Sequence, residues 1–258
     1  MDRKCAIPFS EFPSSSAKDI RYFVSDVDDT ITSKGKLLPL SLNALWNIKR
    51  AGLDTILVTG GSSGWADVYI RQWPVDYVIA ESGALLLSIS KDGDVLYKKN
   101  PTIIDEVDEL REELLSKTKQ YILSSDQYAR IYDVAFDKKK NTPEDIDKIK
   151  EIALSLGASF TESSIHLNVW FGSYDKRNGL LLFLPDIYPG KEQEFFEKAV
   201  YFGDSYNDQP LFSLFNLSIG MHSVEDSRSD FDNLPTYITK GYGGYGFAEA
   251  VGKILKNK

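Results

Sequence analysis

The run Phe23-Val24-Ser25-Asp26-Val27-Asp28-Asp29-Thr30 decides how this chain is read. An apolar strand passes straight into three carboxylates and a hydroxyl. Burying a carboxylate at a strand end is costly unless a metal, a donor network or chemistry holds it there. Two aspartates at i and i+2 followed by threonine suit metal-assisted phosphoryl transfer, with one carboxylate attacking and the other moving a proton. The plainer reading is a strand that ends in a turn, since aspartate is common in turns.

Outward from this run, strands and helices alternate. Residues 20–25 read as a short apolar strand. Residues 41–51 carry apolar side chains at Leu42, Leu45, Trp46 and Ile48, a helical spacing, and stop at Gly52. A strand over 55–58, a Gly/Ser turn, a helix over 65–72 and a strand over 77–80 follow. This βαβαβ order predicts a parallel sheet with helices on both faces, whose ligands gather at the carboxyl ends of the strands. Asp26 and Thr59 both fall there.

The middle of the chain changes character. Segments 85–89 and 95–97 flank Lys91-Asp92-Gly93-Asp94, a hairpin signal. An acidic helix over 103–119 and a strand over 130–136 come next. A helix opened by Asn141-Thr142-Pro143-Glu144 ends before Gly157, and strands over 160–162 and 165–171 follow. Beyond Gly172 the α/β rhythm resumes: helix 176–184, strand 199–202, helix 209–215, strands 217–220 and 236–239, and a last helix from Phe247. The reading is one α/β core, residues 1–84 and 172–258, split by an inserted α+β domain over 85–171.

Composition narrows the field. With 258 residues, 42% hydrophobic and 26% charged, and a mean hydropathy of -0.27, the chain is ordinary for a globular protein. A net charge of -8 argues against a nucleic-acid backbone as partner. It leaves room for phosphorylated small molecules, because a local cation can dominate one cleft. The single Cys5 allows no intrachain disulfide, and with only two histidines a Cys/His zinc site is disfavoured. Arg3 and Lys4 precede only Ala6-Ile7-Pro8-Phe9, too short for a signal-peptide core. No stretch approaches the ~18 apolar residues that span a membrane. The expectation is a cytoplasmic protein without a membrane partner; the sequence sets no oligomeric state.

Three further motifs sit at expected strand-to-helix junctions. Leu57-Val58-Thr59-Gly60-Gly61 offers a hydroxyl and free backbone amides that a phosphate can accept from, though it also fits an ordinary glycine turn. Tyr174-Asp175-Lys176-Arg177 places a cation at a helix start, where a solvated lysine is the plainer reading. Phe202-Gly203-Asp204-Ser205-Tyr206-Asn207-Asp208 supplies Asp204, Asn207 and Asp208, oxygen ligands of the kind Mg²⁺ prefers. Asp208 also suits a helix cap.

Asp26-x-Asp28-x-Thr30, Thr59-Gly60, Lys176 and Gly203-Asp204-x-x-Asn207-Asp208 resemble, in this order, the four motifs of the haloacid dehalogenase (HAD) superfamily. The resemblance covers roughly residues 18–84 and 172–258, a Rossmann-like parallel-sheet core. The insert resembles the cap of subfamily IIB, whose Cof-like members include many sugar-phosphate phosphatases. The likeness implies that Asp26 attacks phosphorus and Asp28 protonates the leaving alcohol, then activates water. It implies that Thr59, Gly60 and Lys176 bind the phosphoryl oxygens. It further implies Mg²⁺ on Asp26, the Asp28 carbonyl and Asp204, with Asp208 and Asn207 orienting the metal shell. Thr30 would steady the loop. An acid at position 28 favours a phosphatase or phosphomutase over the relatives that lack it. Two departures stand out: Glu81-Ser82-Gly83 replaces an Asn-Gly often found at the cap entrance, and Ser205-Tyr206 replaces a glycine.

Two other features complete the reading. Gly241-Tyr242-Gly243-Gly244-Tyr245-Gly246 formally matches a dinucleotide-binding run, but too little chain follows for the strand and acid it needs, so a flexible connection is expected. In the insert, Ile165-His166-Leu167-Asn168-Val169-Trp170 alternates, which puts His166, Asn168 and Trp170 on one strand face that could select a substrate or simply pack. Arg130 and Tyr132 are expected to share a face of another strand. The function expected is a Mg²⁺-dependent phosphatase for a small phosphorylated metabolite, a sugar or sugar-acid phosphate. A phosphomutase and a non-catalytic phosphate-binding regulator are the alternatives.

Overall fold

The computed structural model describes residues 5–163 and 165–258; Arg3 and Lys4, used above to read the N-terminus, lie outside them. The strand Tyr22–Ser25, entirely buried, runs near the middle of a nine-stranded sheet. On one side follow Asp54–Val58 and Tyr77–Ala80. On the other lie Ala199–Gly203, Leu217–Gly220, Tyr237–Ile238 and Ile7–Pro8, all parallel. Tyr22 and Val24 pack on one face and Phe23 on the other, so the strand reads as continuously apolar because helices cover both sides.

One face carries the helices Pro39–Arg50, Ser63–Gln72 and Gly243–Lys256, the other Lys176–Ile187, Glu192–Lys198 and Gln209–Leu214. Local chemistry explains the starts. Pro39 opens its helix, and Ser62 caps the next by accepting from Trp65 N–H. The chain turns to opposite sides of Tyr22–Ser25, so a crevice forms at its carboxyl end.

The inserted unit has an antiparallel sheet in the order Ser159–Glu162, His166–Trp170, Asp133–Asp137, backed by Val107–Lys117 and Pro143–Ser155. The latter helix opens on a Thr142/Asp145 capping box. No helix among the described residues is long and apolar enough to cross a membrane.

The structure differs from three expectations and adds one element. The hairpin of Leu85–Ile89 and Val95–Lys99, read with the insert, extends the large sheet in antiparallel fashion. Arg130 and Tyr132 precede their strand, which begins at Asp133, because a 3₁₀ turn over Gln127–Ala129 holds the chain back. The glycine run is no flexible connection: the last helix begins at Gly243, and a Cβ on Gly244 would lie 2.2 Å from Ser41 Oγ and 2.7 Å from the Ile31 carbonyl. Close packing of the helix start, not mobility, requires those glycines. Finally, helix Glu192–Lys198 was not anticipated; its Phe195 fills the core under Tyr22.

Candidate active site

Asp26, Thr59 and Asp204 each follow the carboxyl end of one of three adjacent strands, and Asp26 N–H donates to the Phe202 carbonyl at 2.9 Å. Lys176 comes from the first turn of its helix on the second core segment. That helix is seated by backbone contact: Gly83, with φ of +108°, leaves no room for a side chain on Gly179, whose Cβ would meet Gly83 Cα at 2.5 Å. Lys176 Nζ donates to Asp26 Oδ1 at 2.7 Å and Asp208 Oδ1 at 2.8 Å, all three side chains being buried. The solvated lysine is thereby set aside.

Asp26, Asp204 and Asp208 bring carboxylate oxygens within 4.8 Å of one another. Burial, only partly opposed by Lys176 and reinforced by Asp208 and Asp28, pushes Asp26 up to about 7. Burial and repulsion from Asp208 and Asp26 raise Asp204 well above the ordinary carboxylate range. Burial draws the Lys176 ammonium toward neutrality, but Asp208 and Asp26 outweigh it and keep it charged. One lysine against three acids leaves negative charge in excess. A hard divalent cation fits that oxygen-only donor set.

The three acids differ in how free they are. Asp208 accepts from Lys176, from Tyr201 Oη at 2.7 Å and from the amides of Asp204 and Ser205 at 3.0 and 3.3 Å. Its oxygens are committed to holding the loop and the lysine. Among the described residues Asp204 Oδ1 receives a long contact of 3.5 Å from Thr30 Oγ1, and Ser223 Oγ fixes its carbonyl at 2.9 Å. Asp29, in a left-handed conformation with φ of 52°, accepts from Lys34 N–H and builds the loop rather than the site. Thr59 Oγ accepts from Gly61 N–H at 2.9 Å and keeps its own proton to donate. Ser205 Oγ donates to Asn207 Oδ1, so the Ser205-Tyr206 departure is accommodated by a capped 3₁₀ turn.

Asp28 lines one small cavity with Asp26, Gly60, Asp204 and Asn207, roofed by Thr161, Ser163, His166 and Asn168 of the insert. Burial, offset by Lys176 and helped by Asp29 and Asp126, raises Asp28 above its usual range. The insert thus covers the carboxylates. Burial and Arg130 lower His166, which is therefore neutral near pH 7.

The expected selecting residues separate. His166 faces the cavity. Asn168 Nδ2 donates to the Gly60 carbonyl at 3.0 Å and Asp133 Oδ2 at 2.8 Å, so it ties the insert to the Thr59-Gly60 loop. Arg130, its side chain wholly buried, donates to Gly60 O at 3.0 Å, both Asp133 oxygens at 2.9 Å and Asp126 at 3.1 Å. Trp170 packs in the insert's own core and donates to the Tyr174 carbonyl, apart from His166 and Asn168. Sequence alternation placed His166, Asn168 and Trp170 on one face, but could not show that Asn168 and Trp170 already have partners within the protein.

Glu81 is the residue the sequence reading missed. Fully buried, its carboxylate accepts from Ser63 N–H at 2.9 Å, Ser63 Oγ at 2.5 Å, and the amides of Ile131, Tyr132 and Asp133 at 2.9, 2.7 and 3.0 Å. It joins core to insert across the hinge-side loop. Where the sequence suggested a lost asparagine contact, the structure has a gained anchor. A glutamate closing an apolar strand just before Ser-Gly was the available signal.

Comparison with known proteins agrees with this architecture. A protein of Thermoplasma acidophilum superposes with a TM-score of 0.71 at 19% identity, covering 93% of this chain and 99% of that one. A haloacid dehalogenase-like hydrolase from Bacteroides thetaiotaomicron gives 0.67 at 15%, covering 91% and 99%. The C-terminal domain of the C. albicans trehalose-6-phosphate phosphatase gives 0.67 at 12%, covering 99% of each chain. At these identities the likeness is one of fold. A comparison with curated proteins returns no match. The sequence profile of the haloacid dehalogenase-like hydrolases matches residues 23–162, more than half of the chain, and the protein belongs to that family.

Proposed function

We propose that this hydrolase is a Mg²⁺-dependent phosphatase for a small phosphorylated metabolite of the sugar-phosphate class. The observation that carries the reading is the convergence of Asp26, Lys176 and Asp208 in one buried cluster, with Asp28 in the same cavity as Asp26. The phosphatases among the similar folds, one acting on trehalose 6-phosphate, support the substrate class.

An oxygen of Asp26 forms a bond to phosphorus as the bond to the leaving oxygen breaks. Asp28 gives the leaving oxygen its proton, so that the product departs as a neutral alcohol rather than an alkoxide and Asp28 is left as a carboxylate. Water then attacks phosphorus, Asp28 takes its proton, and the Asp26–phosphorus bond breaks to release inorganic phosphate. Lys176 and Thr59 hold the transferring oxygens, and Asp208 keeps Lys176 in place. Mg²⁺ held by Asp26, the Asp28 carbonyl and Asp204 would supply further neutralisation of the phosphoryl charge. The cavity, about 20 Å³, has room for little more than a water, so the insert must lift to admit an ester and close again to exclude solvent.

Hydrolysis of p-nitrophenyl phosphate tests the reading. Wild-type protein should turn it over with Mg²⁺, and chelation or Asp26→Asn should abolish turnover. Equal rates in wild type and Asp26→Asn would remove Asp26 as nucleophile; no turnover in either would favour a phosphate-binding protein.

A further inference from the structure

The helix Ser63–Gln72 that follows the Thr59-Gly60 loop carries aromatic residues four apart, at Trp65, Tyr69 and just beyond its end at Trp73. They form a continuous ladder. Trp65 and Tyr69 rings lie 6.0 Å apart and within 18° of parallel, and Tyr69 and Trp73 are 4.2 Å apart. Tyr69 is buried, whereas Trp65 is 50% exposed at the head of the ladder. An exposed tryptophan stacked on a buried tyrosine presents a flat apolar face.

That face borders a cavity of about 350 Å³, within the range of about 300–1,000 Å³ usual for small-molecule sites. Asp28 and His166 line it as well, and both also line the small catalytic cavity, so the two spaces meet at the proposed acid. A general acid must reach the oxygen it protonates, so the body of the leaving alcohol lies on the Asp28 side. A second cavity opens on the opposite, Lys176 side, and includes Tyr206 and Asn207 but not Asp28.

Resting on the phosphatase reading, we infer that Trp65, backed by Tyr69, is the platform on which the leaving alcohol stacks, and that this alcohol is a neutral, ring-shaped polyol. A saccharide ring shows C–H bonds on its faces and hydroxyls at its rim. It therefore matches an aromatic face, whose π-cloud is negative, bordered by polar groups. His166 and Asp126 supply those groups. Charge decides between a sugar and a sugar acid. Among the described residues Arg130 is the one cation lining the cavity, and its guanidinium is already held by Asp126 and Asp133, so an added carboxylate on the substrate gains no partner there.

The test compares kcat/KM for glucose 6-phosphate, glucitol 6-phosphate and 6-phosphogluconate: a neutral ring, a neutral open chain and an anionic open chain. The order expected in wild type is ring, then neutral chain, then anionic chain. Trp65→Ala should cut the ring-to-open-chain ratio at least tenfold, chiefly through KM, and Trp65→Phe should restore most of it. Trp46→Ala, on a different helix, should leave the ratio as it was. A ratio unmoved by Trp65→Ala, a wild-type preference for either open chain, or loss of ring preference in Tyr206→Ala instead would overturn the inference while the phosphatase reading stands. Hydrolysis of none of the three, nor of p-nitrophenyl phosphate, would overturn both.

Discussion

Replacing Glu81 by glutamine changes almost nothing in shape and removes one acceptor oxygen. In the native structure Oε1 accepts from Ser63 N–H, Ser63 Oγ and Ile131 N–H, and Oε2 from Tyr132 and Asp133 N–H. A glutamine that keeps its oxygen on the first set points an NH₂ at two amide donors. Each buried donor left without an acceptor costs roughly 1–3 kcal/mol, so the pair costs about 4 kcal/mol. Turning the amide around is worse, because three donors then face the NH₂. For a chain of this size about 4 kcal/mol lowers the melting temperature by roughly 8–16 °C. Glu81→Ala, which also strips the acceptors, should fall in the same range. Denaturant unfolding of the two variants checks the reasoning. If Glu81 merely filled space, glutamine would lie within about 1 kcal/mol of wild type, and that result would refute the anchor. Loss of the anchor should also loosen Arg130 and Asn168 from Gly60, so KM for p-nitrophenyl phosphate should rise in Glu81→Gln.

Further outcomes follow from the same geometry. Lys176→Met leaves Asp26 and Asp208 buried without their cation, so kcat should fall at least about 100-fold, with a stability loss of about 3–5 kcal/mol in the absence of metal; a kcat within tenfold of wild type would contradict the assignment. Gly179→Ala forces a Cβ against Gly83 and should cost about 1–3 kcal/mol while lowering kcat through Lys176, whereas Gly252→Ala, in open space on the last helix, should gain about 0.5–1 kcal/mol; unfolding curves of the pair report both. Asp26, with its ion-free pKa raised to about 7, is protonated below that pH and a cation must displace the proton. Because Asp204 is raised as well, Mg²⁺ affinity measured calorimetrically should weaken at least about tenfold per unit as pH falls below about 7; constant affinity from about pH 5 to 8 would be inconsistent with this.

The core of the fold and its four junction motifs were legible because each rests on local patterning: an apolar run, a cap or a glycine, then a polar group at a strand end. Lys176 could be paired with Asp26 only through the family resemblance, since 150 residues separate them. The hairpin of segments 85–89 and 95–97 was read with the insert because alternation reports pairing within the hairpin and nothing about which edge it joins. The partners of Arg130, Asn168 and Glu81 were out of the sequence's reach for one reason. A buried polar side chain is defined by the partners that satisfy it, and those partners come from distant segments. Trp65, Tyr69 and Trp73 were readable as an i, i+4, i+8 stripe, but which end would stay exposed depended on the neighbouring ribbon and insert.

Covalent chemistry at Asp26 is the central step of the proposed reaction. Acid quenching of the wild-type protein during turnover of p-nitrophenyl phosphate with Mg²⁺, followed by peptide mass spectrometry, should find a phosphoryl group on the peptide containing Asp26. The adduct should be absent from Asp26→Asn. A phosphoryl group on another residue, or the same adduct yield in Asp26→Asn, would contradict it.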